Sequence, residues 1–241
     1  MIDSILILAA GKGERLGELT KNTPKPLLKI DKNNTTILDR LIHQCMREFP
    51  YIPVHINISY LADSFLHHFS SKNANAIPKF LYENRILGPA KTLQEFQKLG
   101  FHKTLVIHGD LVLADVEFTN LALRIKSSNH QLIVSHLRPL SRARSRVNSE
   151  FTRVISIEEY VSDNAKNFSD QVVSVCSGIY SIFAKSIHGY EPETNESLAP
   201  NLLNYSIQNQ ETHEFLWHDW RFAVDSPETY SRAKDKISRQ A

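Results

Sequence analysis

The sequence has little of what marks a secreted, membrane-bound or nucleic-acid-binding protein. It contains only two cysteines, Cys45 and Cys176, so no disulfide framework supports the fold. We predict that both are buried free thiols in a reducing compartment. The apolar run at residues 5–10 is too short for a signal peptide or a membrane-spanning helix. We therefore predict a cytoplasmic protein. Since the formal net charge is only +2, we predict no nucleic-acid or membrane partner.

Several catalytic and metal-binding motifs are also absent. No H-E-x-x-H or G-x-S-x-G string occurs, and the eleven histidines have no ligand spacing along the chain. The P-loop string is missing. A dinucleotide fingerprint is excluded because residue 16 is leucine where the third glycine would be required. These absences argue against a zinc protease, a serine hydrolase and the two commonest nucleotide-binding motifs.

Short apolar runs alternate with helical patterns in the first half of the chain. Apolar runs that end in glycine are typical of strands buried on both faces of a parallel sheet. Apolar residues every three or four positions are typical of helices, and Thr35 or Thr36 suits the N-cap of the first one. The alternation predicts a parallel, doubly wound sheet. The predicted strands are residues 5–9, 54–58, 79–82 and 104–107, and the predicted helices are residues 36–49, 61–69 and 90–99.

The second half of the chain is richer in strand patterns. We predict helices at residues 198–207 and 226–237, and a mobile polar loop at residues 162–170. Because there is no internal repeat and no clear linker, we expect one domain over residues 1–241. The further predicted strands are residues 132–137, 152–157 and 172–183.

A glycine-rich loop follows the first predicted strand. Residues 6–17 are LILAAGKGERLG, and residues 23–28 are TPKPLL. Glycines allow backbone N–H groups to approach a phosphate closely and tolerate positive φ. Lys12, Arg15 and Lys25 place three cations around the loop. The segment therefore predicts a phosphate-binding site.

Residues 8–28 resemble the signature of the sugar-phosphate nucleotidyltransferases, L-A-A-G-x-G-x-R-L followed by P-K-P-L. The resemblance implies that Arg15 holds the β- and γ-phosphates of an NTP, and that Lys25 lies on the α-phosphate and the acceptor phosphate. These two are the predicted catalytic residues, since such transfer depends on positioning and charge neutralisation. The implied nucleotide-binding residues of the loop are Leu8, Ala9, Ala10, Gly11, Lys12 and Gly13.

The resemblance also implies the fold and the organisation of the chain. We expect an α/β, Rossmann-like three-layer domain with a central mixed, mostly parallel sheet, the nucleotide-diphospho-sugar transferase fold. About residues 1–115 would bind the NTP. About residues 116–241 would bind the acceptor and supply the second metal ligand.

Two aspartates are the predicted ligands of Mg²⁺, which prefers oxygen ligands. Asp110 follows the strand at 104–107, and ligands of α/β proteins bind at the carboxyl ends of parallel strands; a plain turn residue is the alternative. By resemblance, Asp225 in the sequence FAVDSPETY is the second ligand, with Asp219 as a weaker choice. Asp225 is alternatively the N-cap of the last helix.

Residues 83–91 are similar to the family segment that closes over the nucleobase. Gly88, Pro89 and Ala90 are the implied contacts there. Glu83 is assigned to the same nucleotide site, with an acceptor contact or a structural anchor as other roles. A simple strand-to-helix turn remains the alternative for the whole segment.

The predicted acceptor site is less well defined. Residues 177–181 resemble a family strand beside the acceptor, so Gly178 and Glu158 are the predicted acceptor residues; a plain core strand is the alternative. Many sugar-specific members carry Glu-Lys-Pro where this chain has Glu-Glu-Tyr at residues 158–160. Arginines that compensate for the missing lysine, or that form a solvated basic loop, are Arg138, Arg142, Arg144 and Arg146.

The predicted reaction joins an NMP from an NTP to a phosphorylated small-molecule acceptor, a sugar 1-phosphate. A second enzymatic reading is a cytidylyltransferase for phosphocholine, with Tyr160, Trp217 and Trp220 caging the quaternary ammonium. A third is a binding sensor that has lost catalysis. The base, the acceptor and a homo-oligomeric state stay open at this level.

Overall fold

The computed structural model describes residues 1–70, 78–143, 145–159 and 171–240. The predicted mobile loop at 162–170, as well as Arg144 and Tyr160, lies outside the described residues. The chain divides into two compact units. The loop unit, which contains the glycine-rich loop, consists of Ser4–Ile86, Ile107–Ala122 and Trp220–Ala241. The strand unit consists of Met1–Asp3, Leu87–Val106 and Leu123–Asp219.

The loop unit contains a parallel three-stranded sheet of order β3-β2-β1. A second, two-stranded antiparallel sheet pairs β5 with β11. Two 3₁₀ turns, Glu14–Thr20 and Lys25–Leu27, follow the first strand. The regular elements are β1 Ser4–Leu8, α1 Ile37–Glu48, β2 Val54–Ile58, α2 Ala62–Ser70, β3 Lys79–Tyr82, β5 Leu111–Leu113, β11 Arg221–Ala223 and α6 Pro227–Ser238.

The strand unit contains a mixed sheet of order β9-β6-β10-β8-β7. The β6–β10 pair is parallel, whereas the β6–β9, β8–β10 and β7–β8 pairs are antiparallel. Its elements are α3 Pro89–Gln97, β6 Gln131–Pro139, β7 Ser145–Glu150, β8 Arg153–Glu159, β9 Val172–Phe183, α5 Leu203–Asn209 and β10 Thr212–Leu216. Strand β4 Lys103–His108 and helix α4 Asp115–Ser127 have residues in both units.

Each unit has its own apolar core. In the loop unit, β1 and β2 are buried along almost their whole length, as expected for strands covered on both faces. Helix α1 begins with a capping box, in which Thr36 Oγ1 accepts from the Asp39 N–H and the Asp39 carboxylate accepts from the Thr36 N–H. Thr36, not Thr35, is therefore the N-cap. Fully buried side chains of the strand unit include Leu132, Ile133, Ile179, Ile182, Leu202 and Leu203.

The predicted α/β class with a mixed, mostly parallel sheet is confirmed. Each predicted strand is present, and the predicted helices are present with ends displaced by a few residues. The helix predicted at residues 198–207 is α-helical only over Leu203–Asn209, because Leu198–Leu202 forms a π-type turn with a non-helical Ala199. Helix α4 and strands β5, β7, β10 and β11 are additions that the sequence patterns did not predict. None of the helices in the described ranges combines the length and apolar character needed to cross a bilayer.

Both thiols are free, as predicted. Cys45 is fully buried, which confirms the prediction for this residue. Cys176 is only partly buried. Burial raises the pKa of each thiol to about 12. At neutral pH both thiols are therefore protonated and poorly nucleophilic.

Candidate active site

The glycine-rich loop is held in place by its own residues. Gly13 adopts a left-handed conformation with φ 69° and begins the 3₁₀ turn Glu14–Thr20. Gly17 has φ 56° and ψ −126°, a combination that glycine adopts without strain. The Thr20 hydroxyl donates to the carbonyls of both glycines, at 2.9 Å and 3.3 Å. Gly13 and Gly17 are therefore required by backbone geometry.

A buried polar chain fixes the start of the loop. The Ala9 N–H donates to Asn57 Oδ1 at 2.7 Å, and Asn57 Nδ2 donates to Glu83 Oε1 at 2.9 Å. Asn57 and Glu83 are only 4% and 7% exposed. Glu83 therefore has the contacts of a structural anchor for the loop backbone. Asn57 was not predicted, although an asparagine inside a buried strand is an available signal because buried amides need partners.

Lys25 and Asp110 form the closest ion pair of this region. Lys25 Nζ lies 2.6 Å from Asp110 Oδ2, and each side chain is 17% exposed. Asp110 follows β4, where Gly109 donates its N–H to the Leu8 carbonyl at 2.9 Å. A Cβ at Gly109 would lie 2.8 Å from that carbonyl oxygen. Glycine is therefore needed for Asp110 to come this close to the end of β1.

The electrostatics keep Asp110 ionised. Burial by itself acts to raise the pKa of Asp110, but the positive charges of Lys25, His108 and Arg221 outweigh it and the pKa is lowered. Burial is also the main reason why the pKa of His108 is lowered. Arg221, in β11, was not predicted as part of this region, because its position depends on the pairing of β11 with β5.

Asp225 pairs with the second predicted catalytic cation. Arg15 Nη1 lies 3.1 Å from Asp225 Oδ2, with the side chains 60% and 34% exposed. The Val224 N–H donates to the Asp110 carbonyl at 2.9 Å, so the backbone segments that carry the two aspartates are neighbours. The N-cap of α6 is Ser226, whose hydroxyl accepts from the Thr229 N–H. The alternative role of Asp225 as the N-cap is therefore wrong.

These contacts place four charged groups beside the glycine-rich loop. The two carboxylates are of the hard oxygen type that suits a divalent cation such as Mg²⁺. The two cations are suited to bind phosphate oxygens. Of the other loop residues, Lys12 lies 3.7 Å from Glu14 and is exposed. Ala9 and Ala10 are buried, and Gly11 is exposed.

Family comparison agrees with this arrangement. The model of the nucleotidyl transferase family matches residues 4–167, more than half of the chain. The chain belongs to this family. The match includes the glycine-rich loop, Arg15, Lys25 and Asp110, whereas Asp225 lies beyond it.

Two curated proteins are similar to this nucleotidyl transferase. The bifunctional protein GlmU of Methanococcus aeolicus is 28% identical over 210 residues, which cover 87% of this chain and 40% of that protein. The chain thus spans less than half the length of this relative. The N-acetylmuramate alpha-1-phosphate uridylyltransferase of Neisseria meningitidis is 29% identical over 225 residues, which cover 89% and 91% of the two chains.

A solved structure shows the same fold. UDP-glucose pyrophosphorylase, complexed with UDP-glucose, superimposes with a TM-score of 0.77 at 16% identity, over 100% of both chains. At this identity the likeness establishes the fold alone.

In this nucleotidyl transferase, the predicted base contacts Gly88, Pro89 and Ala90 lie in the strand unit, whereas Glu83 of the same segment lies in the loop unit. Pro89 is the first residue of α3, and the Ala90 N–H donates to the Glu196 carbonyl at 3.1 Å. Gly88 has φ 90°, and a Cβ there would lie 2.5 Å from Asn195 Cα. The close approach of Asn195 explains the glycine by packing, and Ala90 is fully buried. The base-contact role of Gly88, Pro89 and Ala90 stays a prediction.

The predicted acceptor residues also lie in the strand unit. Gly178, with φ 78°, occupies the middle of β9. Glu158 is an exposed residue of β8 and stands opposite Arg146 of β7 in the register. Arg146 is thus a cation adjacent to the position where the family lysine is missing. The acceptor roles of Gly178 and Glu158 stay predictions.

Glu214 forms a second polar cluster that sequence reasoning missed. Its carboxylate accepts from the hydroxyls of Ser135 at 2.5 Å and Ser149 at 2.6 Å, and from that of Ser174. The serines come from β6, β7 and β9, whereas Glu214 lies in β10. The residues are far apart in sequence, so no local pattern indicates the cluster.

Proposed function

We propose that the protein transfers an NMP group from an NTP to a sugar 1-phosphate, releasing pyrophosphate and forming an NDP-sugar. The observation that carries this proposal is the pair of cation–carboxylate contacts beside the glycine-rich loop, Lys25 with Asp110 and Arg15 with Asp225. Family membership supports the reaction type. A relative of similar length is named as a uridylyltransferase of a sugar 1-phosphate, which supports the acceptor class.

Asp110 and Asp225 would hold the divalent cation, for which we propose Mg²⁺. When bound, the ion would neutralise charge on the phosphates and favour the in-line geometry. Both carboxylates are ionisable oxygen ligands on neighbouring backbone segments. Asp225 also pairs with Arg15, and we therefore favour it over Asp219 as the second ligand.

Lys25 and Arg15 would bind the phosphates. In the proposed reaction an acceptor phosphate oxygen attacks the α-phosphorus while pyrophosphate departs. Lys25, which is largely shielded, would neutralise charge at the α-phosphate and the acceptor. Arg15 would do so at the departing phosphates. Exposed ion pairs contribute only about 0–1 kcal/mol, so Arg15 can leave Asp225 for a phosphate at little cost.

The aromatic residues give no support to phosphocholine as the acceptor. Trp217 is only 3% exposed. The Trp220 ring is faced by two cations of the protein itself, Arg40 at 5.8 Å and Lys236 at 5.6 Å. Such a ring is already engaged and is electrostatically unsuited to a further cation. The third aromatic residue, Tyr160, lies outside the described residues.

The remaining assignments are part of the same proposal. We propose a cytoplasmic enzyme that acts as one domain, with about residues 1–115 binding the NTP and about residues 116–241 binding the acceptor. Its partners would be an NTP and a phosphorylated small molecule, without nucleic acid or membrane. A homo-oligomer is compatible with this function. The sensor hypothesis is disfavoured because Arg15, Lys25 and Asp110 are all kept in one arrangement.

Pyrophosphate release tests the proposal directly. ATP, CTP, GTP, UTP and dTTP are each combined with a panel of sugar 1-phosphates and with phosphocholine in the presence of Mg²⁺. We expect release with at least one NTP and sugar 1-phosphate pair. Asp110→Asn should abolish it, while Asp115→Asn, which alters the ion pair with Arg40 (2.6 Å), serves as the matched control.

Each other outcome has a defined meaning. Release with phosphocholine alone would contradict the sugar acceptor and support the cytidylyltransferase. NTP binding without release for any acceptor would support the sensor. If no NTP binds at all, the assignment of the glycine-rich loop is wrong.

A further inference from the structure

A cluster of two histidines and a glutamate lies in the strand unit. His130 precedes β6, Glu211 precedes β10, and His213 is in β10. One nitrogen of each ring and a carboxylate oxygen all lie within 4.8 Å of one another. His213 Nε2 is 2.9 Å from Glu211 Oε1, and His130 Nδ1 is 3.5 Å from Glu211 Oε2.

The backbone holds these side chains in position. β6 and β10 pair in parallel with Gln131 opposite Thr212, which brings His130 and Glu211 side by side. The Gln131 N–H donates to the Glu211 carbonyl at 3.2 Å. Residues 211 and 213 are two apart, so their side chains share one face of the strand. The two rings are stacked, with centroids 4.2 Å apart and planes 7° from parallel. One ring must therefore turn about its side-chain torsions before both in-plane lone pairs can point at one ion.

A buried lysine side chain holds the backbone of His130 in place through hydrogen bonds. Lys103 Nζ donates to the carbonyls of His130 at 2.8 Å and Ser128 at 3.3 Å. Lys103 itself is only 1% exposed. The cluster therefore rests on a buried, hydrogen-bonded backbone rather than on a free loop.

The hydrogen bonding of His213 suits a metal ligand. Its Nε2 faces Glu211, while Thr152 Oγ1 lies 3.4 Å from its Nδ1. A metal-bound histidine commonly uses one ring nitrogen for the metal and donates the other N–H to an oxygen, which fixes the tautomer. Thr152 provides that oxygen.

We propose that His130, Glu211 and His213 bind a divalent transition-metal ion of the Zn²⁺ class. Two imidazole nitrogens and one carboxylate oxygen are typical ligands of such ions and differ from the all-oxygen set that Mg²⁺ prefers. The side chains are 39%, 47% and 16% exposed, so a fourth position would be open to solvent. Its three ligands are different residues from Asp110 and Asp225, and the inference does not depend on the proposed function.

A positive charge near the cluster should weaken its affinity for a metal ion. Arg153 of β8 is paired with His213 in the register. The pKa of Glu211 is lowered by its hydrogen bond to His213 and, to a smaller extent, by charges that include Arg153. The arginine opposes a second cation, and Arg153→Ala should therefore tighten metal binding. Linear spacing cannot reveal this site, because His130 is far in sequence from Glu211 and His213 and only the pairing of β6 with β10 brings them together.

Zn²⁺ binding to the whole chain tests the inference. Affinity is measured by competition with a chromophoric chelator, with excess Mg²⁺ present to occupy carboxylate sites. We expect His213→Ala, His130→Ala and Glu211→Gln each to weaken Zn²⁺ binding by more than about tenfold, and Thr152→Val to weaken it by about tenfold. His188→Ala, which alters another exposed histidine, should have no effect. Circular dichroism confirms that each variant is folded.

Three outcomes would overturn the inference. The first is a wild-type affinity no tighter than that of the His213→Ala variant. The second is a loss on substitution of one histidine with no loss for Glu211→Gln, which would indicate adventitious binding to a single imidazole. The third is an equal loss in the His188→Ala control. Pyrophosphate release is not a readout here, so the outcome is independent of the catalytic assignment.

Discussion

In the loop unit, Asp110 and Asp225 each face one cation, at 2.6 Å and 3.1 Å, whereas in the strand unit Glu214 accepts hydrogen bonds from three serine hydroxyls. The cations stand in two 3₁₀ turns, and in our proposal they exchange a carboxylate for a phosphate. The hydroxyls come from three different strands and hold the carboxylate in the sheet. If the proposal is right, the same type of side chain serves ligand exchange in the loop unit and cohesion in the strand unit.

This difference predicts that substitutions in the two units separate turnover from stability. Lys25→Ala and Asp110→Asn should each lower turnover at least ~10²-fold, the effect of losing one electrostatic stabiliser in an active site. The measurement is pyrophosphate release with the best substrate pair. Lys21→Ala is the matched control, because the Lys21 side chain belongs to the same segment but is 65% exposed, and its Nζ lies 3.5 Å from Glu18. Near-normal turnover in both site variants would refute the assignment.

The opposite behaviour is expected for Glu214. Glu214→Ala removes the acceptor of three hydroxyls, and we expect the free energy of unfolding to fall by about 2 kcal/mol. Urea denaturation measures this change. The turnover of the folded fraction should stay close to that of the wild type. Glu191→Ala, an exposed glutamate of the same unit, should change neither quantity, and a large loss of turnover at Glu214 would end the distinction between the units.

A substitution at Gly109 tests whether the close approach of the β1 and β4 ends is needed for stability and turnover. Gly109→Ala should lower the free energy of unfolding by about 1.5 kcal/mol, because the new Cβ would lie 2.8 Å from the Leu8 carbonyl oxygen. It should also lower turnover, since Asp110 follows directly. Gly11→Ala meets nothing within 4 Å and is the control for stability. If the two variants are equally stable, the backbones at residues 8 and 109 can move apart at little cost in free energy.

The two units also differ in the partners of a lysine. Lys25 of the loop unit faces a carboxylate, whereas Lys103 of the strand unit donates to backbone carbonyls. Burial lowers the pKa of Lys103 to about 8, below the value near 10.5 of an unfolded lysine. At a pH between the folded and the unfolded pKa, Lys103 is protonated in the unfolded chain but largely neutral in the folded one. The free energy of unfolding should therefore rise with pH in this range, and Lys103 should not affect its pH dependence below about pH 8.

The size of this effect is measured against Lys103→Met. Between pH 7.5 and pH 9.5 the free energy of unfolding of the wild type should gain about 1 kcal/mol relative to the variant. The contact of the ammonium with the Phe183 ring, at 4.7 Å, favours the charged form and limits the gain. A gain of zero, or a change of opposite sign, would show that Lys103 remains charged throughout.

The sequence predicted those parts of the fold and site that are encoded locally. Strand β1 with its glycine-rich loop, and strand β4 with Asp110 at its end, each show a clear local pattern in which an apolar run leads into glycine. Helix α4 was missed because exposed Val116 and Leu123 interrupt the polar face expected of an amphipathic helix. Strands β5 and β11 have three residues each, too few to show periodicity.

The remaining site contacts depend on pairing between distant segments. Asn57 reaches Ala9 only because β2 lies beside β1. Arg221 reaches Asp110 through the pairing of β11 with β5, and the serines around Glu214 come from three strands. The ambiguity over Asp225 was resolved by Ser226, since a serine and an aspartate in succession are both suitable N-caps. Side-chain chemistry was thus predictable, whereas its long-range partners were not.

The pairing of β11 with β5 has a consequence for synthesis of the protein. Lys25 and Asp110 leave the ribosome long before Asp225, and β5 must wait for the partner strand that brings Asp225 to it. A nascent chain that has reached only β10 already contains the glycine-rich loop, Lys25 and Asp110, but it lacks Asp225. The set of four charges is therefore complete only after β11 has been synthesised and has paired with β5.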